Sequence, residues 1–216
     1  NGIAFAGSGN YAVGGTAPGE RNLLSGLNFA MSTSGSALAS ARIQGNLVGT
    51  NALGTAVIGN GFGLLAFRLG NTLIGGDTPE ARNVFSGHTG QALIFRTAGN
   101  SGVFANTQVL GNYFGTDVGG TRALGNDFQR AGATIEISAP GCALTFGGTA
   151  LGQANLIAFS ASSGVAVLGC NGQQTPLNRY RGNQGPAFDN GVGNSTGSTP
   201  NDANDPDEGG NRLQNF

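Results

Sequence analysis

Residues 49–60 read GTNALGTAVIGN, and residues 115–126 read GTDVGGTRALGN. Six positions are identical, all Gly, Thr or Asn, while the apolar positions between them drift. A second element recurs beside the first: VGGTAPGERNLLSG (13–26) returns as IGGDTPEARNVFSG (74–87) and more loosely as FGGTALGQANLIAF (146–159). The Gly-Gly pairs start at 14, 75 and 147, so the repeat is 61 to 72 residues long. A chain that repeats its turn residues more faithfully than its apolar ones is specifying backbone geometry. An inward position accepts Val, Ile, Leu or Phe of similar volume. A left-handed corner accepts Gly and sometimes Asn.

Between these turn elements lie short apolar runs: Ala41–Ile43, Ala56–Ile58, Leu64–Phe67, Thr72–Ile74, Asn83–Phe85, Ala92–Phe95, Thr107–Leu110, Thr134–Ile137, Leu144–Phe146, Val165–Leu168 and Leu177–Tyr180. Bounded by Gly, Asn, Ser or Pro, they read as strands. Helix is disfavoured by 41 glycines in 216 residues, each costing a helix about 1 kcal/mol. Strands this short gain stability by stacking in a coil, where each turn contacts its neighbours. The expected fold is therefore all-β, a β-solenoid, with Asn side chains laddered along the corners. Division of the repeat into three turns of ~20–24 residues predicts about nine turns and a rod ~40 Å long.

The same repeats, IGGDTPEARNVFSG and GNYFGTDVGGTRALGN, resemble those of bacterial secreted parallel β-helix proteins of the CSLREA type. The resemblance covers roughly residues 1–170 and continues through GPAFDNGVGNSTGSTPNDANDPDEGGNRLQNF, similar to segments that close such blocks. It implies a single-stranded, right-handed parallel β-helix over residues 1–187, with an irregular acidic cap or linker over 188–216. It also implies an extracellular or cell-surface setting and a structural or adhesive role without catalysis. The alternatives are a lyase or hydrolase acting on acidic glycans and a self-assembling extracellular fibre subunit.

Charge is sparse, with ten Lys+Arg (all Arg) and eleven acids. A net charge of −1 gives no field for nucleic acid. No apolar run approaches the ~18 residues of a membrane span. The chain opens at Asn1 without a leader, which reads as a mature or excised segment. Surface glycans and end-to-end self-association are the expected partners.

His88 is the only histidine and has no acid beside it in sequence, so it reads as a turn residue. Glu136 in ATIEISA alternates outward on a strand near Arg130, the one layout a lyase could use. Catalytic residues are expected to be none. Five of the eleven acids follow residue 188. Asp189, Asp202, Asn204, Asp205, Asp207 and Glu208 supply the hard oxygen ligands calcium takes, against the alternative of a solvated linker. Cys142 and Cys170, each just beyond a strand and 28 residues apart, are expected to pair across successive turns. Gly49, Thr50, Gly59, Asn60, Gly115, Thr116, Gly125 and Asn126 are the turn-forming residues of the repeat, the glycines being expected at positive φ.

Overall fold

The computed structural model describes residues 1–33, 38–96, 104–127, 129, 132–139, 141–168, 170 and 174–191. The strands come in rotation. A first pass of the chain makes β1 (Ile3–Phe5), β2 (Asn10–Gly14) and β3 (Leu23–Leu24), and a second makes β4 (Phe29–Thr33), β5 (Ser40–Gln44) and β6 (Leu47–Val48). Then follow β7 (Phe62–Ala66), β8 (Thr72–Gly75) and β9 (Val84–Phe85), and next β10 (Leu93–Arg96), β11 (Thr107–Leu110) and β12 (Tyr113–Phe114). The fifth pass makes β13 (Ala133–Ser138), β14 (Leu144–Phe146) and β15 (Leu156–Ala158). The sixth makes β16 (Ser163–Leu168) and β17 (Arg179–Arg181), and β18 (Phe188–Gly191) opens a seventh.

Equivalent strands stack in parallel. The first sheet runs β1-β4-β7-β10-β13-β16-β18, the second β2-β5-β8-β11-β14 and the third β3-β6-β9-β12-β15-β17. This is an all-β coil of three parallel sheets, consistent with a β-solenoid. No helix is long and apolar enough to cross a membrane among the described residues.

Alternation within each strand fills the interior. On the first sheet Met31, Leu64, Leu93, Ile135 and Val165 face in. From the third sheet Phe85 stacks on Phe114 at 5.5 Å between ring centroids, and Phe114 on Phe146 of the second sheet at 6.2 Å. Such stacked aromatics bury large apolar area and fix the register of each pass on the last.

The expected turn count is corrected here. Val13 pairs with Ile43 and Ile43 with Ile74, so the 61-residue repeat spans two passes, not three. Ile74, Val109 and Phe146 do the same for the longer copy. The described residues make six passes and open a seventh rather than nine turns, because each pass carries excursions that add residues without adding a strand. The advance ranges from Val165 paired with Phe188 to Tyr113 paired with Leu156. The expected strand at Ala56–Ile58 is one such excursion: only Val57 makes a bridge, antiparallel to Thr50. The first sheet also runs on through Gly191, across the position where the sequence suggested an irregular cap to begin.

Asparagine ties the passes together. Between the second and third sheets, Asn22, Asn46, Asn83, Asn112, Asn155 and Asn178 form a continuous ladder, each Nδ2 donating to the next residue's Oδ1 at 2.9–3.2 Å. The same Oδ1 also accepts the backbone N–H of the preceding Asn. From Asn46 onward each Nδ2 reaches back to a carbonyl of an earlier pass, as Asn83 does to Ile43 at 2.7 Å. Asn46, Asn83, Asn112 and Asn155 are fully buried. Each therefore satisfies backbone groups that a corner would otherwise leave orphaned.

Candidate functional site

The faithful repeat forms a loop that folds back over the outer side of the third sheet. Gly49 and Gly115 begin the two copies at φ 87° and 81°, and Gly59 ends the first at 84°. Gly125 departs from expectation because it is not at positive φ. It is required for space: a Cβ there would strike the Phe159 carbonyl. Thr50 and Thr116 are buried, and their carbonyls accept from Ser25 and Ser86, both at 2.7 Å. Asn60 and Asn126 each reach back to the previous pass. Their Oδ1 atoms take the N–H of Leu27 and His88, and their Nδ2 atoms bond the carbonyls of Leu24 and Phe85. The two loops touch through the Val118 N–H and the Gly54 carbonyl, 2.9 Å apart.

Gly115→Ala will therefore cost roughly 2–3 kcal/mol, since it adds a left-handed penalty to a clash with the Ala158 carbonyl. Gly119→Ala, four residues along with ordinary contacts, will stay within about 0.5 kcal/mol. Urea unfolding of the two variants reads the difference, and equal costs would refute the corner reading.

The charged candidates are mostly built into this frame. Asp117 occupies the place of Asn51, and its Oδ1 accepts from the N–H of Thr121 and Arg122 at 2.8 and 2.9 Å, as Asn51 accepts from Thr55. Burial opposes its charge, yet the backbone bonds from Arg122 and Thr121 outweigh it and hold the carboxyl below its ordinary value. Glu20 caps its own corner by accepting the Ala17 N–H at 2.8 Å.

His88 sits at the corner where Leu27 and Ser160 sit in other passes, judged by the equivalent bonds to Asn126, Asn60 and Asn183. It is sealed from solvent, and neither ring nitrogen has a hydrogen-bond partner among the described residues. Bare α-carbons make the room: a Cβ on Gly49 would come within 2.7 Å of its Cε1, and one on Gly63 within 3.2 Å of its Nε2. Desolvation pushes its pKa down to about 3, so the imidazole is neutral at pH 7.

Glu136 does face outward from the first sheet, but it is almost wholly covered. Arg96 grips it through Nε to Oε1 at 2.8 Å and Nη2 to Oε2 at 3.1 Å, and Gln91 adds a 3.0 Å bond. The bond to Glu136 raises the Arg96 pKa further. Arg130, the partner suggested by sequence, lies outside the described residues. On the same outward row Glu136 pairs with Ala166, and Ala166 with Asp189. Asp189 is buried too, and desolvation raises its carboxyl above its ordinary value.

Asp189 is thus the one described member of the expected calcium set, and it stands in a strand. Asp202, Asn204, Asp205, Asp207 and Glu208 lie outside the described residues. Among the described residues no group of three or more His, Cys, Asp or Glu could hold a metal ion.

Cys142 and Cys170 form a disulfide, with Cα atoms 5.5 Å apart across 28 residues at the corner between the first and second sheets. Reduction will cost about 3–4 kcal/mol in the chain-entropy model. A thermal melt with and without reductant measures it, and an unchanged midpoint would show that the bridge adds nothing.

The Asn ladder expected along the corners falls on Asn22, Asn46, Asn83, Asn112, Asn155 and Asn178, none of which the sequence singled out beside Asn60 and Asn126, although a signal was present. Asn stands immediately before each strand of the third sheet, as in RNLL, GNLV, RNVF, GNYF and ANLI. Comparisons with family models, curated proteins and solved structures gave no match to this chain.

Proposed function

We propose that this chain is a structural and adhesive module of a secreted or cell-surface bacterial protein, a right-handed parallel β-helix that presents a repetitive face to surface glycans and catalyses nothing. The observation that carries this reading is the use to which the polar side chains are put. The buried asparagines, the loop threonines, Asp117 and Glu20 each hold backbone in place, and the lone histidine is walled off. The disulfide supports an oxidising, extracellular setting.

Calcium belongs to the same reading. The acidic run 202–208, with Asp189, would bind the ion only in the folded state, so the melting temperature should climb with calcium concentration. A flat melting temperature up to millimolar calcium removes this part.

One observation favours a polysaccharide-cleaving enzyme as the second reading. Glu136 and Asp189 share an outward row with the small Ala166 between them, two strand spacings or about 9–10 Å apart. Thr134, buried and with no hydrogen-bond partner for its hydroxyl among the described residues, precedes Glu136 by two residues on that face. An inverting glycosidase uses two carboxyl groups at comparable separation.

A glycan array combined with a reducing-sugar and unsaturated-product assay on acidic polysaccharides separates the readings. Glycan retention without turnover supports the adhesive module. Turnover that disappears in Glu136→Gln overturns it in favour of the enzyme.

A further inference from the structure

The two halves of the repeat place an arginine in the same spot. Arg21 and Arg82 each stand just before a ladder asparagine, at the corner that leads into the third sheet. Neither is a loose surface charge. Arg21 Nε donates to the Gly45 carbonyl at 2.8 Å, and Arg82 Nε to the Gly111 carbonyl at 3.0 Å, in each case one pass further along. The Arg82 guanidinium also lies over the Tyr113 ring, 4.1 Å from its centroid. Both guanidinium planes are therefore fixed through the inner nitrogen, and no hydrogen bond or ion pair among the described residues uses their outer Nη groups.

These forks border one cleft of about 260 Å³ on the outer side of the third sheet, lined by Arg21, Pro79, Glu80, Arg82, Val84 and Val118. Glu80 lies in it without pairing to either arginine, since the ion pair found among the described residues joins Arg96 to Glu136. The forks belong to strands two passes apart, which sets them about 10 Å from one another along the coil axis. In the third copy of the repeat Ala154 stands where an arginine would, so the row is two forks long.

We propose that this cleft binds a linear polysaccharide bearing carboxylate groups. A preorganised guanidinium fork matches a carboxylate bidentately, and its entropic cost of binding is already met by the Nε bond. Pro79 and Val118, both exposed, offer apolar contact to a sugar ring face, and Glu80 accepts from sugar hydroxyls between the two anionic groups. The inference rests on the glycan-binding reading above and names its ligand class.

Polygalacturonate, neutral dextran and dextran sulfate are titrated calorimetrically into the full chain and into Arg21→Lys and Arg82→Lys, which keep the charge and lose the fork. The expected result is polygalacturonate binding weakened roughly tenfold or more by either substitution, with no dextran binding and with melting curves that show both variants folded. Polygalacturonate affinity that is unchanged in both variants overturns the cleft while leaving the adhesive reading intact. So does equal affinity for dextran sulfate that tracks net charge alone. Failure to bind any glycan, on the array as well as here, overturns both.

Discussion

Asn83→Leu will destabilise the chain by about 5 kcal/mol, the largest effect expected of a single polar substitution here. The side chain is fully buried and serves both neighbouring passes at once. Its Oδ1 accepts from the N–H and the Nδ2 of Asn46, and its Nδ2 donates to the Ile43 carbonyl and to Asn112 Oδ1. Leucine keeps the volume and removes all four contacts. The Asn46 N–H and the Ile43 carbonyl lose their partner in a dry interior at about 1–3 kcal/mol each, while Asn46 Nδ2 keeps the Val13 carbonyl and Asn112 Oδ1 keeps the Asn83 N–H, so the other two lost bonds add about 1 kcal/mol each. Relaxation and entering water recover part of that sum. Asn10→Ala, at an exposed position of β2, will change stability by less than about 0.5 kcal/mol. Urea titration of both gives the comparison. A cost below 1 kcal/mol at Asn83 would mean that the ladder accompanies the coil without holding it.

Acidification will remove roughly 4–5 kcal/mol through His88 alone. The imidazole titrates near its ordinary value of 6.5 once the chain unfolds, and at about 3 while it stays folded. As pH falls below 6.5 the unfolded state takes up a proton that the folded state refuses. Stability therefore drops from near pH 6.5 down to about pH 3 and levels off below it. Leu27 occupies the equivalent corner of an earlier pass, so His88→Leu is a substitution the frame already accommodates. That variant should show a flatter dependence of unfolding free energy on pH across the same window. Parallel curves for the two proteins would mean that His88 gains a partner or water on protonation.

Much of the coil was legible because its corners are chemically demanding. Gly49, Gly59 and Gly115 had to be glycines for conformational reasons, and the sequence repeats them. Gly125 was legible as invariant between the copies but not for its cause, since close approach to a carbonyl leaves the same mark as a left-handed φ. Of the third sheet, Asn83–Phe85 was read and Leu177–Tyr180 overlaps β17, but other strands escaped because two residues, such as Leu47–Val48 or Tyr113–Phe114, are too few to show alternation. The stretch Ala56–Ile58 looked like a strand because apolar residues of an excursion and of a sheet share one composition. The site was less legible still. Nothing in ATIEISA announces Arg96, forty residues earlier, as the partner of Glu136, because parallel pairing joins residues whole passes apart. The disulfide was readable for the converse reason: its span is close to the length of one pass.

The alternation of passes makes the length of this coil quantised. The loops at 49–60 and 115–126 belong to the second and fourth passes, and the arginine corners at 21 and 82 to the first and third. Deletion of one pass would let every sheet re-pair, yet it would set one loop-bearing pass directly against another. The Asx-braced loops would then compete for the same strip of the third sheet. Deletion of a full two-pass period preserves the phase. Growth and shrinkage of such a chain by recombination should therefore go in even steps, with one face keeping a beat twice as long as the sheets beneath it.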